Sequence, residues 1–339
     1  MQADHCPRTR KLAAMILGIA SALAVTGCAP VPVARDTGMA PEPRFAAPCH
    51  GADDCDQFAP CALKDFSRCR GFRGVNGLRQ EHSGTVGGLD FRAQATESSK
   101  DRPISLWHDL PLVVSDSGDE LIVNAFFEIS RGTQAKLELN KWEAHNPIWQ
   151  DRRPVSGQAF ERPRYYAWSP APGNYGALPR TWENVLEPDP LTGLPGDTDP
   201  IDVISVSKAS APLGIAAPVK VIGALGMIDG SDRQTDWKIV VIHVDNPMAD
   251  EIDDIADVPQ RIKDEWALFW RFYKTATGHA ENFFYAPDAP SGFSKNATWL
   301  GAAQARTIVR DSAKAYRKLV DRCLNRQISP PYWVPGCRS

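Results

Sequence analysis

Between Gly196 and Ser205 the chain reads GDTDPIDVIS, placing Asp197, Asp199 and Asp202 directly ahead of an apolar run. Like charges this close repel each other unless a cation offsets them. Carboxylates on a short loop are hard oxygen donors, suited to Mg²⁺, Mn²⁺ or Ca²⁺. A calcium loop of EF-hand type would need an oxygen ligand, a glycine and a glutamate where this loop has Ile201, Asp202 and Lys208, so that reading fails. Ile201, Val203 and Ile204 interleave with the acids and point toward a core. The acids therefore sit at the edge of packed structure, where an unneutralised charge is costly. A second acidic cluster, DGSDRQTDWK, runs from Asp229 through Asp232 and Asp236 to Lys238. Upstream, EISRGTQAKLEL places Glu128, Lys136 and Glu138 at strand spacing, and Arg162, Tyr175, Tyr273 and Lys274 complete the set. Taken singly, such residues are mostly solvated or half-buried packing. Together they suit phosphoryl transfer, which needs divalent metals on phosphate oxygens, Lys and Arg on the remaining charge, and a carboxylate base near the attacking water. A purely structural metal site would want the acids and have no use for the cations.

These groups need a scaffold, and the pattern from about residue 104 onward is β-rich. Leu121 to Ile129, Lys136 to Leu139, Ile201 to Val206, Val219 to Ile228 and Trp237 to Val244 are predicted strands, rich in Val and Ile and separated by Gly, Pro, Asp and Asn. The DGSDRQTDWK segment joins the last two, so a hairpin-like turn would bring Asp229 and Asp236 together. Two helices follow. Ile262, Trp266, Phe269, Trp270 and Tyr273 form one helical stripe, and Ala305, Ile308, Val309, Ser312, Tyr316, Leu319, Val320 and Cys323 form another. With 339 residues, 43% of them hydrophobic, the chain can bury a substantial core. A formal net charge of -3 gives no bulk attraction to nucleic acid.

The first residues read differently. Arg8, Arg10 and Lys11 precede the apolar run Leu12 to Val25, which ends in Val25-Thr26-Gly27-Cys28. This pattern predicts an export signal over 1–27, too short to span a membrane as a helix. The V-T-G-C ending resembles a bacterial lipobox with Cys28 lipidated. Because Ala29 follows rather than Asp, the expected location is the outer membrane, on its periplasmic face. A Pro/Ala-rich linker and a cysteine-rich extension fill 28–103, and the tail is drawn at 326–339. Setting aside Cys6 and Cys28 from the eight cysteines leaves Cys49, Cys55, Cys61, Cys69, Cys323 and Cys337, an even set that predicts disulfides in an oxidising compartment. The sequence does not choose among the pairings. Their wide, irregular gaps disfavour zinc.

GDTDPIDVISV also resembles the D-x-D-P-x-D-V signature of soluble family I inorganic pyrophosphatases. NPIWQD, AFER, GNYGALPRTWEN, TDWK, FYK and AENFF follow in that family's order, and the TWEN and TDWK wording is closer to the eukaryotic type. The resemblance covers about residues 105 to 325. It implies an α+β, mainly β fold: a small closed OB-like β-barrel with flanking C-terminal helices, here spanning 104–325. It implies Mg²⁺, several ions per site, with Mn²⁺ as an alternative. Asp197, Asp202 and Asp236 correspond to ligands of the tightest metal and Asp199 to the base. Glu128, Glu138 and Asp229 correspond to acids serving further metals. Lys136, Arg162, Tyr175, Lys238, Tyr273 and Lys274 correspond to groups that grip the phosphates. The chain departs from the family in one loop: Asp229 and Asp236 are seven positions apart, two more than usual, which leaves Asp232 as a competitor for the ligand role. The implied activity is hydrolysis of pyrophosphate by a membrane-tethered exported enzyme, with a homodimer as the implied assembly. The alternatives are an inactive pyrophosphatase fold in a binding role, or a hydrolase of another phosphoanhydride.

Overall fold

The computed structural model describes residues 74–155, 159–207 and 209–337. The expected signal, Cys28, the linker and Cys49 to Cys69 lie outside them.

Five strands carry the architecture: β1 (Leu121–Ile129), β2 (Tyr175–Ala177), β3 (Asp202–Ser205), β4 (Ala216–Ile228) and β5 (Thr235–His243). Neighbours pair in the order β1, β2, β3, β5, β4, and β4 pairs back onto β1 with Val219 opposite Val123, closing a barrel. Their largely apolar content follows from burial on both faces. Side chains alternate across each strand, so one set (Phe126, Ile204, Leu225, Val240) and the other (Val123, Val203, Ala224, Ile239) feed two separate cores. Closure also demands tight approach. A Cβ on Gly176 of β2 would lie 1.9 Å from the Phe126 carbonyl oxygen of β1, so no side chain fits there.

The predicted helices are α1 (Gln260–Phe272) and α2 (Ala302–Leu324). The stripe of α1 buries Ile262, Trp266, Phe269 and Trp270 in the first core. Each of these large side chains contributes about 1.5–3 kcal/mol. Ala305, Ile308 and Val309 of α2 pack in the second core, while Tyr316 and Leu319 of the same helix reach the first.

Strand structure begins before residue 104. Leu78–Ser83, Arg92–Glu97, Ile148–Gln150 and Leu137–Leu139 form a second sheet in that spatial order, with Phe91, Ala93 and Ala95 buried in the first core. Part of the segment assigned on sequence to the linker and extension is thus a layer of the fold. The tail is also anchored. Tyr332 and Val334 are buried, and Cys337 is disulfide-bonded to Cys323 of α2.

Candidate active site

Strand direction gathers the site. β3 and β5 are parallel, with Asp202 opposite Lys238, so Asp202 and Asp236 both fall at strand starts on one rim. β4 runs antiparallel to β5, which delivers Asp229, just past its end, to the same rim. The expected hairpin forms there, with the Asp229 N–H donating to the Gln234 carbonyl. Asp197 and Asp199 arrive on the loop ahead of β3. Gly196 packs against the Glu183 backbone so closely that a Cβ would meet its carbonyl carbon at 2.4 Å. The Asp199 N–H donates to Asp197 Oδ1 at 2.9 Å, setting these two acids side by side.

The result is a cleft of about 310 Å³ lined by every sequence-predicted site residue except Arg162. Lys238, only 1% exposed, lies 2.5 Å from Asp236 Oδ1 and also bonds Asp202 Oδ2, which accepts from the Tyr175 hydroxyl as well. The Lys238 ammonium stands 4.4 Å from the Trp270 ring centre, a cation–π contact that adds to its fixing. Lys136 bridges Glu138 (2.5 Å) and Asp151 (2.8 Å), and Arg164 reaches Asp151 at 3.0 Å. Lys274 pairs with Asp229. Lys141 donates to Thr198 Oγ1 at 2.7 Å and pairs with Asp199. Glu128 accepts from the Leu139 N–H at 2.7 Å.

Burial dominates the electrostatics. It raises the Asp197 carboxyl to about 7, with Asp199 and Asp236 adding to the rise, and it raises Glu128 to about 8. Burial also lifts Asp202, only partly opposed by Lys238. It would lower Lys238, but Asp202 and Asp236 outweigh it and hold the ammonium well above its ordinary range. At Asp229 burial is overcome by the Lys274 partner, and the carboxyl sits below its usual range. Acids that resist ionisation in one cleft mark a functional site.

Arg162, expected from sequence to grip the phosphates, stands apart from the cleft. It is exposed on the hairpin of Arg152–Pro154 with Glu161–Pro163, paired with Arg153, and it packs near Phe160. Two residues further along, Arg164 returns to the base of that hairpin through its N–H bond to the Asp151 carbonyl, and its side chain enters the cleft. At a strand rise of about 3.3 Å per residue, that offset places Arg162 roughly 7 Å too far out. Asp151, Arg164, Lys141, Tyr166 and Glu183 were not singled out from sequence. NPIWQD and TWEN contain two of them, yet a lone acid within such wording carries no spatial signal. Both Asp229 and Asp232 line the cleft, and Asp229 is the buried, cation-paired one.

The donor set fits hard divalent cations. Carboxylate oxygens of Glu183, Asp197 and Asp236 lie within 4.8 Å of one another. Glu183 Oε1 accepts the Trp237 N–H at 2.7 Å, while its buried Oε2 has no hydrogen-bond partner, a polar atom left for a cation or its water shell.

The family model for inorganic pyrophosphatase matches residues 125–317. The chain is 35% identical over 246 residues to an inorganic pyrophosphatase of Schizosaccharomyces pombe, covering 70% of this chain and 77% of that protein. This chain belongs to the inorganic pyrophosphatase family. Among solved members, the type I enzyme of Toxoplasma gondii superposes with a TM-score of 0.62 at 31% identity, covering 71% of this chain and 99% of its own. An N-terminally truncated vacuolar soluble pyrophosphatase of Trypanosoma cruzi, solved in complex with PPi, gives a TM-score of 0.62 at 30% identity, with 76% and 94% covered. The activity class is inorganic diphosphatase, and the closed barrel with its C-terminal helices is the fold the resemblance implied. The family match begins inside β1 and ends inside α2. The sheet strands before residue 104 and the tail lie beyond it.

Proposed function

We propose that this chain hydrolyses inorganic pyrophosphate to two phosphates with Mg²⁺, as an exported, lipid-anchored enzyme. One observation carries the chemistry. Asp197, Asp202 and Asp236 converge on one barrel rim and line, together with Lys136, Arg164, Lys238 and Lys274, one cleft large enough for a diphosphate. The complex of the Trypanosoma cruzi relative with PPi supports that substrate.

Asp197, Asp202 and Asp236, with Glu183 beneath them, would hold the tightest cation, and Glu128, Glu138 and Asp229 would serve further ones. Bound divalent cations supply charge neutralisation of phosphate oxygens and acidify water. The protein's own groups do the rest. Asp199, half-exposed at the cleft wall, accepts a proton from the attacking water. Arg164 and Lys136, clamped on Asp151, point donors at one phosphoryl group. Lys238, Tyr175, Tyr273 and Lys274 hold the other and stabilise its charge as it leaves. Pairing every cation with an acid beforehand fixes its position, so little reorganisation accompanies the reaction.

Phosphate release from pyrophosphate, with Mg²⁺ against EDTA and with Asp199→Asn, tests the chemistry. No release by the wild type sinks the activity, and equal release by Asp199→Asn sinks the base. The Cys323–Cys337 bond supports an oxidising compartment, as export requires. Palmitate labelling that survives Cys28→Ala would refute the anchor.

A further inference from the structure

The C-terminal tail takes no part in the chemistry above, yet its contacts lead to the assigned base. The Cys323–Cys337 bond closes a loop with a sequence separation of 14. Inside that loop the Trp333 N–H donates to the Lys141 carbonyl at 2.8 Å. The Trp333 carbonyl meets His108 Nε2 at 3.1 Å, and its ring lies 5.2 Å from the His145 ring. The Lys141 ammonium sits 5.9 Å from the Tyr332 ring centre and 5.5 Å from that of Trp142. Lys141 is therefore held by the tail at its backbone and bordered by it at its side chain. From there its ammonium reaches Thr198 Oγ1 and Asp199. Thr198 has a φ of 79°, a left-handed conformation that β-branched residues disfavour. Keeping the loop between Asp197 and Asp199 in that shape takes outside contacts, and Lys141 supplies one of them.

We propose that Lys141 is a positioning residue for Asp199, held in place by the disulfide-closed tail, so that cleaving Cys323–Cys337 with a thiol reductant lowers turnover. This rests on the reading of Asp199 as the base. A dithiol delivers two electrons and two protons, turning Cys323 and Cys337 into thiols while it becomes a cyclic disulfide. The freed tail regains conformational entropy, which competes with its packing on Lys141. The Asp199 side chain is 47% exposed, so little else limits its movement once Lys141 loosens.

The experiment compares oxidised and dithiothreitol-reduced wild type with Lys141→Met, Lys141→Arg, Cys337→Ser and Asp199→Asn. It reads kcat and KM for pyrophosphate, the Mn²⁺ Kd by titration calorimetry, and Tm. Cys337→Ser confines the change to this bridge, since the other cysteines also meet the reductant. Reducing the folded wild type keeps the test independent of how well that variant folds. Reduction, Cys337→Ser and Lys141→Met should each lower kcat about tenfold, in line with the cost of slight misplacement of a reacting group, at nearly constant KM. The Mn²⁺ Kd should stay within about twofold, because Asp202 and Asp236 remain fixed at their strand starts by Lys238. Reduction should lower the Tm of Lys141→Met without lowering its kcat further, and Lys141→Arg should recover part of the rate. A wild-type kcat that ignores reduction, a further fall in reduced Lys141→Met, or a Mn²⁺ Kd that moves in step with kcat would each overturn the proposal. Asp199→Asn retains the disulfide, so wild-type turnover in that variant would remove the base assignment by itself. An impaired Asp199→Asn beside a reduction-insensitive wild type would remove only the role of the tail.

Discussion

Replacing Asp197 with Asn should make the metal-free protein more stable at pH 8 while weakening its hold on divalent cations. In the folded chain burial raises the Asp197 carboxyl from 3.8 to about 7. A raised carboxyl means that the folded state binds the proton more tightly than the unfolded state. Stability from this group is therefore present at low pH and falls as pH climbs from about 4 to about 7. The shift of roughly 3 units sets a ceiling of about 4 kcal/mol on the penalty above pH 7. Water entering the cleft screens the interaction, so about 1–2 kcal/mol is the expected gain on substitution. Asn is nearly isosteric, and its oxygen can still accept the Asp199 N–H. For a domain of this size the gain corresponds to a Tm rise of roughly 2–8 °C. Calorimetric scans in EDTA at pH 8 and pH 4.5 measure it, with Asn ahead at pH 8 and level at pH 4.5. A Tm for Asp197→Asn at or below wild type at pH 8 would refute the argument that burying this ionised carboxyl destabilises the metal-free fold.

Metal binding should displace protons from Asp197 and Glu128, so Mg²⁺ should raise Tm more at pH 8 than at pH 5; an equal rise would contradict the burial-driven shifts. Arg164→Ala should lower kcat/KM by about 10²-fold, and Arg164→Lys nearly as much because a forked donor is lost, whereas Arg162→Ala should stay within about twofold in steady-state assays. Trp266→Ala, which empties a fully buried site on α1, should cost about 3–5 kcal/mol in urea unfolding without moving the Mn²⁺ Kd.

The site was legible in the sequence where chemistry is written in short-range wording. GDTDPIDVIS combines its acids with core-facing Ile201, Val203 and Ile204, and the barrel places them as that alternation requires. The five strand candidates and both helical stripes correspond to observed elements, because Val/Ile runs and 3.6-residue spacing are local signals. What escaped was long-range. Nothing near Glu183 tells that its carboxylate bonds the Trp237 N–H far along the chain and approaches Asp197. Arg162 and Arg164 differ only in how far out a hairpin places them. Leu78–Ser83 and Arg92–Glu97 are short and rich in polar residues, so their place in a sheet depends on partners contributed later in the chain.

The pairing of β4 back onto β1 has a further consequence for what this scaffold can accept. In a closed ring the spacing between neighbouring strands is fixed near 4.8 Å, so acids on adjacent strand starts keep a set separation. That separation fixes the spacing of the carboxylates that would hold divalent cations. An open sheet could splay to admit a longer chain of phosphates, and a closed ring cannot do so without breaking its hydrogen bonds. Adaptation to larger phosphoanhydrides would therefore have to come from the parts outside the ring, the Asp229–Asp236 turn with its Lys274 partner and the hairpin that carries Arg164. The ring sets the spacing of its acids, and substrate length is left to its attachments.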